Sequence, residues 1–462
     1  SYDALGNRIS NTDPEGGNIE LTYYKSRELR YRPLAVRTLD GGSWSFAYDK
    51  QGNVIERSNP KGAKTTLSYK DGLVEEVTDS FGVVTKLSYD RWHNVCEAAD
   101  NRGNVTRYSY DGLGRCIEVI NAKGARQRRR YDLVGRIIGI DDFDGNHIKL
   151  SYDGIDNLIH YQDDHQEVEY GYEGMWKLVR RRDHRGVINF FHDCEERLKE
   201  VRNENWESYD FTLDAAGYVI AESGFDGATR YYERDSAGRV LKETLPSGKF
   251  KRYGYDKCGR VTEITHDYDQ VEKHNYSYWT SGRIREAVNE HARVSFRYDG
   301  MGLPVEERCD EHLIKRSYDK HGLICSLQSS LGAQLSYERN EYGELICFKA
   351  NEAKTNARFT SEHQYDSLGF ELERLLPGGV SQSFAYDNIG RLVNSKTRRS
   401  AEQRRSRHYN WGSADRLLSI EDDRYGLTQY SYSPSGELTI ATYADGTKVQ
   451  NLCWNIDGIP SL

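Results

Sequence analysis

Short runs in which apolar and polar positions alternate recur from one end of the chain to the other. In Tyr108-Ser109-Tyr110, Leu87-Ser88-Tyr89 and Tyr430-Ser431-Tyr432, a small polar residue separates two large apolar ones. A period of two puts both large side chains on one face of a β-strand. The runs are about six residues long, a usual strand length. They end at clusters of Asp, Asn and Gly, which supply turn geometry through side-chain-to-backbone bonds and positive φ. The pattern therefore predicts strands joined by tight turns throughout.

The runs belong to one repeat. Tyr110-Asp111-Gly112-Leu113-Gly114-Arg115 returns as Tyr131-Asp132-Leu133-Val134-Gly135-Arg136, as Tyr255-Asp256-Lys257-Cys258-Gly259-Arg260, and as Tyr386-Asp387-Asn388-Ile389-Gly390-Arg391. With the Tyr as phase zero, repeats start at 2, 23, 48, 69, 89, 110, 131, 152, 172, 192, 213, 234, 255, 278, 298, 318, 339, 365, 386, 411, 432 and 454, mostly 20 or 21 residues apart. Some copies are degraded, as at His192-Asp193, Leu213-Asp214 and Arg234-Asp235. One glycine stands at phase four (Gly52, Gly238, Gly322) and another at phase 14 (Gly62, Gly124, Gly248). Each of the 22 units reads as two antiparallel strands with a turn at either end.

That gives roughly 44 strands about 4.8 Å apart, which laid flat would exceed about 200 Å. Open sheets rarely pass about ten strands without curling, and right-handed twist makes them coil. The expected fold is all-β: antiparallel hairpins coiled into a spiral, hollow, single-layer shell. Stacked in register, the tyrosines would form a ladder, each aromatic neighbour adding about 0.2–1 kcal/mol.

Composition agrees. Tyr occurs 34 times against 13 Phe and 7 Trp, while AVILMFWYC residues are only 37% of the chain. Counted with Gly and without Tyr, the apolar share is roughly 39%, against about 45–50% in globular domains. Aromatics at 12% argue against disorder, so the deficit points to a thin architecture. The net charge of -8 gives no reason to expect nucleic acid as a partner. No apolar run approaches the roughly 18 residues of a membrane span. The start at Ser1, without Met or an apolar leader, suggests a chain that begins inside a larger polypeptide. The eight cysteines, among them Cys96, Cys116, Cys325, Cys347 and Cys453, form no C-x-x-C pair and read as isolated thiols.

No nucleophile elbow, zinc helix, phosphate loop or dinucleotide fingerprint is present. No catalytic, cofactor-binding or metal residue is assigned, and the chain is not expected to be an enzyme. Asp141–Asn146 invites a calcium reading. Counted from Asp142, however, His147 and Asp153 stand where an EF-hand needs Gly and Glu. His160 and His165 flank Asp163-Asp164 in what reads as a loop variant. Recurrent phase-one Asp fits turn stabilisation. Basic clusters lie at Arg126–Arg130, at Arg180–Arg182 with Arg185, and at Arg398–Arg407, the last expected to be an exposed loop. Arg129 replaces the usual aromatic and suggests a polar contact on the Tyr face.

The run Tyr-Asp-x-x-Gly-Arg at this spacing resembles the YD repeat of bacterial Rhs proteins, toxin-complex shell subunits and animal teneurins, and the resemblance spans the whole chain. It implies a hollow β cocoon that encloses a C-terminal toxin or other cargo. It also implies synthesis in a bacterial cytoplasm, then delivery to rival cells, for many members by type VI secretion with a secretion-spike or adaptor protein as partner. The core motif around Asp-Pro-x-Gly-Leu that supports self-cleavage in that family has no counterpart here. The one Asp-Pro, Asp13-Pro14, continues as Glu15-Gly16 at the opposite end. The resemblance thus implies a non-catalytic segment of shell wall. An adhesion or recognition module, as in teneurins, is the alternative. A hydrolase built from wall carboxylates is the least favoured reading. Choline-binding modules would need regularly spaced Trp, and β-propellers a period of about 40–45 residues.

Overall fold

The computed structural model describes residues 1–268, 270–353, 355–400 and 402–450. Among them are 42 strands of one antiparallel sheet and no helix, so none is long and apolar enough to cross a membrane. The repeat start at 454 and Cys453 fall outside the described residues.

The chain divides into two units. One comprises Ser1–Leu87, Asp100–Arg102 and Tyr231–His363; the other comprises Ser88–Ala99, Gly103–Arg230 and the described residues from Gln364 on. Within each, successive strands pair antiparallel. Val105–Tyr110 pairs with Cys116–Ile120, which pairs with Arg126–Tyr131. Between the first two the register shifts at Ser109/Tyr110, so that Tyr110 faces Cys116. The same shift precedes Tyr131, Tyr152, Tyr255 and Tyr386. An inserted residue of this kind bends a strand and re-aims the next side chain. Here it is the phase-zero residue, Tyr in most repeats and His192, Leu213, Arg234 or Trp411 in others.

Burial alternates as the sequence pattern requires. In His147–Tyr152 the residues His147, Lys149 and Ser151 are exposed, while Ile148, Leu150 and Tyr152 are half-buried. One face is aromatic and aliphatic, the other charged. Nothing thick lies between layers: Ala63, Ala125, Val168 and Ile188 are the buried apolar residues among those described. The low apolar content is the composition of a wall one strand thick.

The turns adopt the predicted left-handed backbone, with φ of 78° at Gly114 and 84° at Gly124. Where the repeat has lost its glycine, the backbone keeps the conformation: His93, Asp156 and Glu196 at phase four have φ of 69°, 70° and 63°. Left-handed backbone costs a residue with Cβ about 1–2 kcal/mol. Glu196→Gly is therefore expected to raise stability by about 1 kcal/mol, seen as a higher urea midpoint with unchanged slope.

One expectation is corrected. The described residues of Arg398–Arg407 are not a loop but lie, apart from Ser400, in the strands of a long hairpin, Leu392–Arg399 paired with Glu402–Trp411. The extra residues lengthen both strands.

Candidate functional site: the repeat clamp and the turn-to-turn seam

The repeat motif builds a clamp. Asp111 Oδ1 accepts from the backbone N–H groups of Leu113 (2.9 Å) and Arg115 (3.0 Å). Its Oδ2 accepts from Arg115 Nε at 2.7 Å. Arg115 Nη1 then donates to the carbonyl of Asp132, one repeat on, at 2.8 Å. Its guanidinium lies 4.8 Å from the Tyr131 ring centroid, within cation–π range. The set recurs at Asp132/Arg136 over Tyr152 and at Asp256/Arg260 over Tyr278. Where Asn replaces Arg, as in Asp49/Asn53 and Asp153/Asn157, the amide keeps the bond to the Asp.

The tyrosine closes the clamp from the other side. Tyr131 Oη donates to the carbonyl of Cys116 (2.8 Å), Tyr255 to Val240 (2.7 Å) and Tyr432 to Leu417 (2.8 Å), each 15 residues earlier. In the repeat that starts with Trp411, the indole N–H bonds Leu392 in the same way. A phenylalanine would fill the space but leave the carbonyl unpaired, which is why the repeat uses Tyr. The ladder expected of the tyrosines is thus an alternation of rings and guanidinium groups.

The charged face carries a second register. Glu97–Arg107 (3.0 Å), Glu118–Arg128 (2.9 Å) and Glu263–Lys273 (2.8 Å) pair a phase-eight Glu with a cation on the following strand. These pairs are exposed and individually weak.

The Arg partner holds the Asp111, Asp193 and Asp235 carboxyls below the usual carboxylate range. A folded-state pKa below the unfolded one adds stability above the unfolded value of about 4, and that stability is lost as pH falls through the folded value. The urea midpoint should be level from about pH 7 to 5 and fall below about pH 4. A level profile down to about pH 2 would contradict the clamp's charged form.

A seam joins turns distant in sequence. In the first unit, Asn59 folds its turn by accepting from Lys61 and Ala63, then donates to the Lys320 carbonyl at 2.8 Å. Lys61 reaches Asp299 at 2.8 Å, Asp40 holds Arg283 at 2.8 Å, and Phe81 stacks on His321 with centroids 4.0 Å apart. At Gly42 an added Cβ would stand 1.8 Å from the Gly300 carbonyl oxygen. In the second unit, Asn121 donates to the Asn388 carbonyl (2.9 Å), Asn104 to that of Ser367 (2.7 Å), and Arg185 reaches Glu437 (2.6 Å). The rule is shared: a second turn docks on first turns 238 to 271 residues later, which is twelve or thirteen repeats.

The singled-out residues fall within this scheme. His165 bonds Ser413 across the second unit's seam, and His160 pairs with Glu167. Among the described residues no three His, Cys, Asp or Glu side chains gather as a metal site. Arg129 makes its polar contact with Gln127 on the same strand. Within the long basic hairpin, Arg405 and Arg407 both bond the buried Asp422, and Arg404 pairs with Glu402. Cys96, Cys116, Cys325 and Cys347 are free and half-buried.

The RHS Repeat family matches residues 97–126 and 234–270, which hold the clamps of Tyr110–Arg115 and Tyr255–Arg260. Those two stretches are RHS repeats. The fold recurs in solved structures. The crystal structure of TcdB2-TccC3 is similar at a TM-score of 0.63 and 10% identity, over 94% of this chain and 32% of that one. The Tc holotoxin pore of Photorhabdus luminescens gives 0.59 at 14% identity, over 98% and 27%. TcdB2-TccC3 without its hypervariable C-terminal region gives 0.55 at 13%, over 98% and 29%. The chain spans about a third of the length of these solved chains. A search of curated proteins finds no match.

Proposed function

We propose that these RHS repeats are a non-catalytic segment of shell wall that encloses a toxin or other effector domain before delivery. The observation that carries this reading is the seam: in each unit, second turns meet first turns twelve or thirteen repeats later. A sheet one strand thick that returns on itself at a fixed repeat count coils around a space. One solved assembly of the same fold is named a Tc holotoxin. The cargo is carried on the same parent polypeptide or on a separate chain, and is held from the producer's cytoplasm until export. Type VI secretion to rival bacteria, through a spike or adaptor protein, is the proposed route.

The test is protease digestion of the natural polypeptide that carries residues 1–462. Cargo sequence is expected to resist cleavage while the wall is intact and to be cut once the seam variant Gly42→Ala opens it. Equal cleavage in both would overturn enclosure.

A further inference from the structure

The alternation of rings and guanidinium groups breaks inside the first unit. In the repeat starting at 318, Leu323 stands where the clamp Arg belongs, and in the next repeat Arg339 replaces the Tyr. Arg also stands at phase zero at 234, but there Tyr218 takes the clamp position and a ring is kept. Between 318 and 339 neither position carries a ring. A phenol at 339 would donate to the carbonyl 15 residues earlier, that of Ile324. Arg339 instead donates from Nη1 to the Gly343 carbonyl of its own turn at 3.2 Å. Its Nε is buried and has no hydrogen-bond partner.

A cleft of about 390 Å³ opens at this break. Cys325, Tyr337 and Arg339 line it, with His321 from the preceding first turn and Phe81 from the second turn docked there. Its aromatic walls are held from behind. Phe81 stacks on His321 at an interplanar angle of 18°, and Tyr337 packs on Phe348 with centroids 5.2 Å apart. Its charges balance, with Lys320 and Arg339 set against Asp319 and Glu341, so no net charge selects an ion. What the cleft lacks is a ring and an acceptor for the buried Nε.

We propose that this cleft is a binding site for a phenol, seated where the repeat has lost its own. The ring would lie against the planar guanidinium, a pairing the chain uses in its other clamps. The hydroxyl oxygen would supply the acceptor that Arg339 Nε needs, since a buried donor left unpaired is costly. Because Phe81 comes from the docked turn, the occupant touches both sides of the seam and holds them together. The phenol is a free small molecule or the side chain of a tyrosine in another polypeptide, and the two share this chemistry.

The experiment is a ligand-observed NMR titration of the full chain with 4-cresol. Saturation is expected with a Kd of about 0.1–1 mM, as suits so small a ligand. N-acetyl-tyrosinamide distinguishes the sources: tighter binding of the amide assigns a tyrosine side chain, and tighter binding of cresol a free phenol. Position is read from alkylation of Cys325 by iodoacetamide, followed by mass spectrometry. Saturating cresol should slow it by about threefold or more and leave the exposed Cys194, Cys258 and Cys309 unchanged. Toluene at equal concentration, lacking the hydroxyl, should have no effect. Leu323→Arg with Arg339→Tyr restores the repeat and fills the cleft, so cresol binding should vanish and the urea midpoint should rise. Arg339→Met removes the donor and should weaken binding by about fivefold or more, which decides the matter if the double variant fails to fold. A wild type that does not bind cresol would overturn the proposal. So would binding that toluene matches, or that Arg339→Met leaves unchanged.

Discussion

Gly42→Ala is expected to lower the stability of the first unit by about 3 kcal/mol, at the upper end of overpacking effects. The new methyl would stand 1.8 Å from the Gly300 carbonyl oxygen and 2.8 Å from Pro60 Cγ. The atom it strikes is backbone in a paired turn, so no side chain can rotate away. Gly42 is not among the glycines of positive φ, so alanine suits its backbone and the whole effect comes from the seam. Gly62→Ala separates the two causes, because its Cβ would meet nothing within 4 Å while its φ of 84° disfavours any side chain. That control should cost only about 1–2 kcal/mol. Urea melts decide it: equal losses at the two positions would deny the seam a part in stability.

Asp387→Ala should cost about 2–4 kcal/mol, through loss of hydrogen bonds to a charged acceptor. Asp387 accepts from the backbone of Ile389 (3.0 Å) and Arg391 (2.9 Å), and from Arg391 Nε (2.8 Å). Arg391 in turn donates to the Gly412 carbonyl and faces the Trp411 ring. The same turn offers the Asn388 carbonyl to Asn121, so its collapse weakens clamp and seam together. Asp387→Asn keeps the acceptor for both backbone N–H groups and loses only the charged bond, so about 1 kcal/mol is expected. In hydrogen exchange, the alanine variant should lose protection at Arg391 and across Leu417–Asp422. Loss confined to the turn would contradict the link from one repeat to the next.

The repeat was legible because its local requirements are strict. Gly114 and Gly124 mark positions of left-handed backbone, and Asp111 marks a turn whose N–H groups need an acceptor. These depend on neighbours within five residues. The reach of Arg115 to Asp132 and of Tyr131 to Cys116 was not legible, because both depend on the register shift before each Tyr. The Glu118–Arg128 pair depends on no such shift, since its hairpin keeps an unbroken register, and the recurrence of Glu at phase eight is the signal that discloses it.

The seam lay further out of reach. That Asn59 meets Lys320 depends on how many repeats complete one return of the sheet, and twist rather than any motif sets that number. The basic stretch Arg398–Arg407 misleads because its length reads as an insertion between strands. Asp422, opposite Arg407 on the next strand, neutralises Arg405 and Arg407 and lets them lie within a strand.

Small-angle X-ray scattering of the chain tests the proposed wall around solvent most directly. A compact chain of this length has a radius of gyration of about 23 Å. The account predicts a value clearly larger, with a pair-distance distribution shifted toward long separations as a hollow body requires. A radius near about 23 Å with the single symmetric peak of a filled globule would contradict it.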